Sequence, residues 1–275
     1  MFWLGLGLAL VSAIAVNWAY AREHDAAAAL PPLTFRRPLW SVRLLLGTRA
    51  WLAAFTVETV GFLFYVAALR LAPLSLVQAV CAAGIGVLAF ASCGGRVDRL
   101  SRREQVAVVF AFGGLLLLGL SLTGGHQADH PPSAGGVLVW LAGCAGGALL
   151  AVRALPAGVP AARFGLAAGL LFAAGDISSK LVGYGGVWLL SVVGIVVCYG
   201  LGTSVLQGAF QRGGALTAAG IATLTTNAVP IAAGFVLFEE QLPGGANGPL
   251  QVAAFASIVV GATLLGRPGS TASVV

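Results

Sequence analysis

The sequence predicts an all-α polytopic membrane protein of about nine transmembrane helices in two inverted-topology repeats, four helices followed by five. Three observations carry that expectation. Hydrophobic residues make up 59% of the 275, charged residues only 9%, and mean hydropathy is +0.95. A soluble domain carries roughly 25% charge because its surface faces water. Nine apolar stretches, each near the ~20 residues that a helix needs to cross a bilayer, fill most of the chain. The Arg residues, finally, collect in alternate connections between those stretches. Such a composition excludes most soluble enzymes and leaves transport, flipping, signalling or intramembrane catalysis.

The stretches run over 1–21, 49–70, 73–93, 105–123, 135–152, 163–182, 187–210, 215–238 and 249–266. The first ends in Ala19-Tyr20-Ala21, which resembles a signal-peptidase site. It has no basic region before it and carries Asn17 and Trp18, so a retained span is expected. Segment 22–48 is the longest connection and suits a short interfacial helix, with Trp40 and Arg side chains at headgroup level. Pro73 suits the first turn of the third span, where its missing N–H costs nothing. The high Gly content, 39 residues, fits helices that approach closely in a bundle. Cys81, Cys93, Cys144 and Cys198 are widely spaced within or beside apolar runs and read as buried small hydrophobes.

Orientation follows from the Arg pattern. Arg22, Arg36, Arg37, Arg43 and Arg49 follow span 1; Arg96, Arg99, Arg102 and Arg103 follow span 3. Arg153 and Arg163 flank the connection between spans 5 and 6, Arg212 follows span 7, and Arg267 follows span 9. The other connections are nearly free of basic residues, Arg70 excepted, so the N-terminus is expected outside and the C-terminus inside. The net charge of +6 therefore reflects topology and implies no nucleic-acid partner.

An internal repeat divides the chain into residues 1–123 and 135–267. One unit reads from Phe62 through Pro73-Leu-Ser75, an apolar span, Asp98-Arg99-Leu100 and a Gly-rich span. The other reads from Leu206 to Leu216, a span containing Pro230, Glu240-Gln241-Leu242 and a Gly-containing span. The expected topology makes them cross in opposite senses, an arrangement that in secondary transporters sets the substrate site between the halves.

The passage Tyr65-Val-Ala-Ala-Leu-Arg-Leu-Ala-Pro-Leu-Ser-Leu-Val-Gln78 resembles the Ala-Leu…Ala-Pro…Val-Gln signature of the drug/metabolite transporter superfamily. Pro230-Ile-Ala-Ala-Gly-Phe-Val-Leu-Phe-Glu-Glu240-Gln-Leu is similar to the end of an EamA-type repeat. Within the superfamily the likeness is to the NIPA-type branch, through nine spans, a Glu in the second span and a stretch like Gly175-Asp-Ile-Ser-Ser-Lys180. The resemblance covers almost the whole chain and implies a secondary carrier with alternating access. Its substrate would be a small metabolite, drug or lipid-like solute; magnesium or another divalent cation is the alternative the NIPA likeness implies.

Ionisable groups inside a bilayer are costly and mark pathways. Glu58 stands mid-span and can ligate a cation, carry a proton or accept a substrate ammonium. Asp176 and Lys180, four apart, share a helix face, either as a structural pair or as a polar patch with Ser178 and Ser179 between them. Asn17, Gln78, Gln207, Asn227 and the Thr223/Thr225/Thr226 cluster add neutral hydrogen-bonding groups. Asn227 lies three residues before Pro230, which frees backbone carbonyls by removing a helical N–H. The expected substrate or ion site is therefore Glu58, Asp176, Lys180, Asn227, Gln78, Asn17 and Ser179, with Glu58 and Asp176 as metal ligands if the cargo is a cation. Glu239 and Glu240 read as a solvated helix end. His126, Asp129 and His130 carry metal-ligating atoms, but one short loop does not close a site.

No span contains His, and neither Gly-x-Ser-x-Gly nor His-Glu-x-x-His occurs, so an intramembrane enzyme is not expected. A non-transport scaffold is the remaining class. No cofactor is called for; the expected partners are the small-molecule or ion substrate and the lipid bilayer, with a homodimer left open. The preference for Arg over Lys, with abundant Ala and Gly, suggests a bacterial cytoplasmic membrane.

Overall fold

The computed structural model describes residues 2–33, 38–81, 84–96, 100–121, 131–156 and 158–239, with scattered positions of the last apolar stretch between 250 and 265. Every regular element among them is helical: α1 (Phe2–Ala28), α2 (Pro38–Leu46), α3 (Arg49–Leu69), α4 (Leu74–Cys81), α5 (Gly84–Ser92), α6 (Arg102–Ser121), α7 (Ala134–Ala154), α8 (Pro160–Val182), α9 (Ser191–Phe210) and α10 (Ala215–Val236). A 3-10 turn, Gly186–Leu190, leads into α9.

Six of these helical segments are long and apolar enough to cross a membrane: Trp3–Ala28, Arg49–Leu69, Ala134–Ala154, Pro160–Val182, Gly186–Phe210 and Ala215–Val236. Their outward faces carry large apolar side chains such as Leu138, Val139, Leu150, Val193 and Val196, each more than 60% exposed. Apolar surface on that scale is stable only against lipid. The described residues thus form an all-helical membrane protein. The third apolar stretch is represented by two short helices, α4 and α5, and the fourth by α6. The ninth, with the loop bearing His126, Asp129 and His130, and Asp98, Arg99 and Glu240, lies outside the described residues apart from those scattered helical positions.

At the centre, α8 is the most enclosed of the six, packed between α9 and α10 and flanked by α7. Helix α1 packs along α3 and also meets α4 and α5; α10 joins the two groups by contacting α4 and α5. Small residues permit these crossings. A Cβ at Gly165 would lie 2.5 Å from the Ala218 carbonyl oxygen, and one at Gly169 would lie 2.6 Å from Thr225 Cβ, so α8 and α10 touch backbone to backbone. On the other side, Phe172 rests over Gly202 and Tyr199 over Gly175, an antiparallel pair of ring-into-notch contacts between α8 and α9.

One boundary differs from the sequence reading. Helix α1 does not stop at residue 21 but continues to Ala28, through Arg-Glu-His-Asp and into an Ala run of high helix propensity. Its inward positions 19, 23 and 27, spaced four apart, are completely buried, while Arg22 and Asp25 pair outward at 3.7 Å. Gln211 at the end of α9 secures the exit: its amide donates to the carbonyls of Ala27 and Pro31 and accepts from the Leu33 N–H at 2.7 Å. Ala19, Tyr20 and Ala21 consequently lie mid-helix and buried. Segment 22–48 does hold a short helix, α2, on which Trp40 is exposed.

Candidate functional site

Helix α3 shows how one apolar span aims a charge inward. Its buried residues, Trp51, Ala54, Glu58, Gly61, Tyr65 and Ala68, follow three- and four-residue steps and form a single stripe. Glu58 is part of that stripe and so faces the bundle interior. Helix α8 does the same with Phe172 and Asp176, one turn apart, and α1 with Ala13, Asn17 and Tyr20.

These faces converge on a cavity of about 460 Å3, lined by α1, α2, α3, α4, α8, α9 and α10. Both halves of the chain contribute. Glu58, Asp176, Asn17, Gln78 and Asn227 all line it, which brings together five of the seven site residues expected from sequence. Ser179 and Lys180 are buried on α8 but are not among the described residues lining the cavity. The Ser179 hydroxyl instead donates to the Gly175 carbonyl one turn back.

Asp176 is the hydrogen-bonded pole of the cavity. Gln78 Nε2 donates to its Oδ2 at 2.8 Å and the Tyr199 hydroxyl donates to its Oδ1. The same Gln78 amide reaches the Tyr65 hydroxyl at 2.7 Å, and that hydroxyl is also in hydrogen-bonding contact with Asp176. Four helices, α3, α4, α8 and α9, are thereby tied to one carboxylate. Its donors are all neutral, so they fix the carboxyl group without bringing a positive charge to it.

Aromatic rings surround this pole. Phe62 and Tyr199 have centroids 4.7 Å apart, Phe172 and Tyr199 5.5 Å, Phe62 and Tyr65 6.2 Å, and Tyr20 and Phe172 6.4 Å. Further along, Trp51 and Phe55 stack at 4.9 Å on the wall nearest α2. At the level of α10, Thr223 donates to Asn17 Oδ1 at 3.2 Å. Asn227 turns its amide back to the Thr223 carbonyl at 2.6 Å, leaving Oδ1 buried without a hydrogen-bond partner. A wall of π-faces around a fixed carboxylate can hold an apolar body that bears a positive charge.

Sequence reading did not find Glu23, Tyr20, Tyr65 or Tyr199. Glu23 sits in Arg-Glu-His-Asp and looks like loop, yet it is fully buried and adjoins both Glu58 and Gln207. Its four-residue spacing from Ala19 and Ala27 was the available signal. The tyrosines are unremarkable residues in apolar spans, and only packing brings their hydroxyls to the carboxylates.

The fold and cavity define the chain as a helical membrane protein with an acidic, aromatic-walled cavity among its helices. Compared with known proteins, the chain matches no family model, no curated protein and no solved structure.

Proposed function

We propose that the protein is a secondary transporter of the drug/metabolite type, moving a small organic solute with a positive charge and an apolar body across the cytoplasmic membrane of a bacterium. The observation that carries this reading is the Asp176 carboxylate, held by Gln78, Tyr65 and Tyr199 inside a ring of aromatic side chains. The cavity volume, about 460 Å3, falls in the range of small-molecule sites, roughly 300–1,000 Å3. Lining residues from both 1–123 and 135–267 support alternating access between two inverted halves, the arrangement in which a site lies at the junction of repeats. The resemblance of the Ala-Leu…Ala-Pro…Val-Gln passage points the same way.

A NIPA-type carrier of magnesium or another divalent cation is the alternative. A hard cation wants several free oxygen ligands, and both oxygens of Asp176 already accept hydrogen bonds. The aromatic wall favours the organic cation instead.

Counterflow of radiolabelled benzyltrimethylammonium in proteoliposomes tests the assignment. Wild type is expected to show saturable exchange and Asp176→Asn at least a tenfold loss, with both proteins folded and inserted. Absence of exchange across a panel of aromatic and aliphatic amines, together with magnesium entry that Glu58→Gln abolishes, would establish the divalent-cation carrier in its place.

A further inference from the structure

A second acidic centre lies at the edge of the same cavity. Glu23 of α1 and Glu58 of α3 are 0% and 7% exposed, and their carboxyl groups are in direct polar contact. Glu58 lines the cavity, whereas Glu23 is not among its described lining residues. Two buried carboxyl groups that touch cannot both stay ionised without a positive charge between their oxygens, because bare like charges at that range repel strongly.

The surroundings hold the pair in place. Gln207 of α9, fully buried, aims its amide at the pair and donates from Nε2 to Glu23 Oε2 at 2.5 Å. Three oxygens remain buried without a hydrogen-bond partner: Glu23 Oε1, Glu58 Oε2 and Gln207 Oε1. Buried oxygens without a donor are costly, and a proton between the two carboxyl groups relieves part of that cost. The other groups that act on the centre are the Tyr20 hydroxyl, beside Glu58, and Asp176, whose charge reaches Tyr20. His24, though adjacent in sequence, turns to the Gly213 carbonyl and the edge of Phe210.

We propose that Glu23 and Glu58 form a proton-binding pair that carries the coupling ion of transport, distinct from the Asp176 pole that receives the solute. This rests on the transport reading above. In the solute-free state one proton is shared between a Glu23 and a Glu58 oxygen, leaving the pair with a single negative charge. A cation entering beside Asp176 raises the positive potential along the Tyr20–Glu58 edge, and the proton leaves the pair for the water at the open side of the membrane. Departure of the cation restores it. One proton is exchanged per cation, and no other bond is made or broken. A buried pair suits a proton better than a larger ion because an O–H···O contact needs no coordination shell.

Two measurements test the pair, one of them independent of transport. In pH-difference infrared spectra of the purified protein, a protonated-carboxyl C=O band is expected in wild type and in Asp176→Asn. In Glu23→Gln, a variant whose side chain is nearly isosteric and can still hydrogen-bond to Glu58, the band should change in intensity and pH midpoint, because Glu58 then titrates without a second carboxyl group beside it. In proteoliposomes, benzyltrimethylammonium accumulation driven by a pH gradient is expected to fall at least tenfold in Glu23→Gln relative to wild type, a larger loss than its counterflow shows. A C=O band unchanged in Glu23→Gln, or pH-driven accumulation equal to wild type, overturns the proposal. Accumulation that follows a sodium gradient and ignores pH overturns it in favour of a metal ion at the same oxygens. Failure of counterflow in wild type would defeat the transport reading and the coupling role with it, and the infrared band alone would then decide whether the pair holds a proton.

Discussion

Replacing Gly175 by Ala is expected to destabilise the bundle by about 1–3 kcal/mol, the usual cost of overpacking a filled site, and to do so through one ring. A Cβ at this position would lie 2.5 Å from Cδ2 and 2.5 Å from Cε2 of Tyr199. Ordinary carbon contacts need about 3.5–4.0 Å, so the ring must withdraw by roughly 1 Å. It has little room to do so, since Phe62 and Phe172 flank it at centroid distances of 4.7 and 5.5 Å. Withdrawal also drags the Tyr199 hydroxyl off Asp176. Tyr199→Phe removes that hydroxyl alone, at a cost of about 0.6–2 kcal/mol if it behaves as other interhelical hydrogen bonds do. In the double variant the ring has no hydroxyl to hold in register and relaxes away from the introduced methyl group. The two costs should therefore fall short of additive by about 1 kcal/mol. Unfolding in detergent measures this directly; a chain of this size shifts its midpoint by roughly 2–4 °C per kcal/mol. Costs that add to within about 0.3–0.5 kcal/mol would show that Gly175 and Tyr199 act independently, and the seat-and-anchor reasoning would be wrong.

Other outcomes follow from the same packing. Gly84→Ala puts a methyl group against the Asn17 side chain and 2.9 Å from the Ala13 carbonyl oxygen. It should part α1 from α5 and lower the thermal midpoint by several degrees, whereas the open Gly86 should accept Ala without loss. Gln211→Ala leaves the end of α1 without its side-chain partners, so amide exchange at residues 28–33 should speed up by about tenfold while the core helices stay protected. For topology, single cysteines in a Cys-free background should react with an impermeant maleimide from outside at Val187 and only from inside at Leu155, both exposed positions. The reverse labelling would invert the orientation inferred from the Arg pattern.

Much of this protein is written in the chain one residue at a time. Hydropathy requires lipid, and lipid requires helices, because no backbone group there can turn to water for a partner. Polar residues scattered through apolar runs, Glu58, Asp176, Gln78, Asn17 and Asn227, stand out for the same energetic reason, and they do meet in one cavity. What a linear reading could not weigh is the azimuth of a side chain about its helix and the identity of its neighbour. Lys180, as conspicuous in the sequence as Asp176, lies apart from the described cavity lining, one helical turn beyond the residue that forms the wall. Glu23 shows the opposite case: its charged neighbours Arg22 and Asp25 disguise a position that the helical period turns fully inward. The tyrosine hydroxyls on Asp176 likewise come from distant helices, α3 and α9. Composition thus determined the solvent, the secondary structure and the unusual residues, since each depends on local transfer energies. Only tertiary packing decided which carboxylate meets an aromatic wall and which meets another carboxylate, since that depends on glycine notches that set where helices touch.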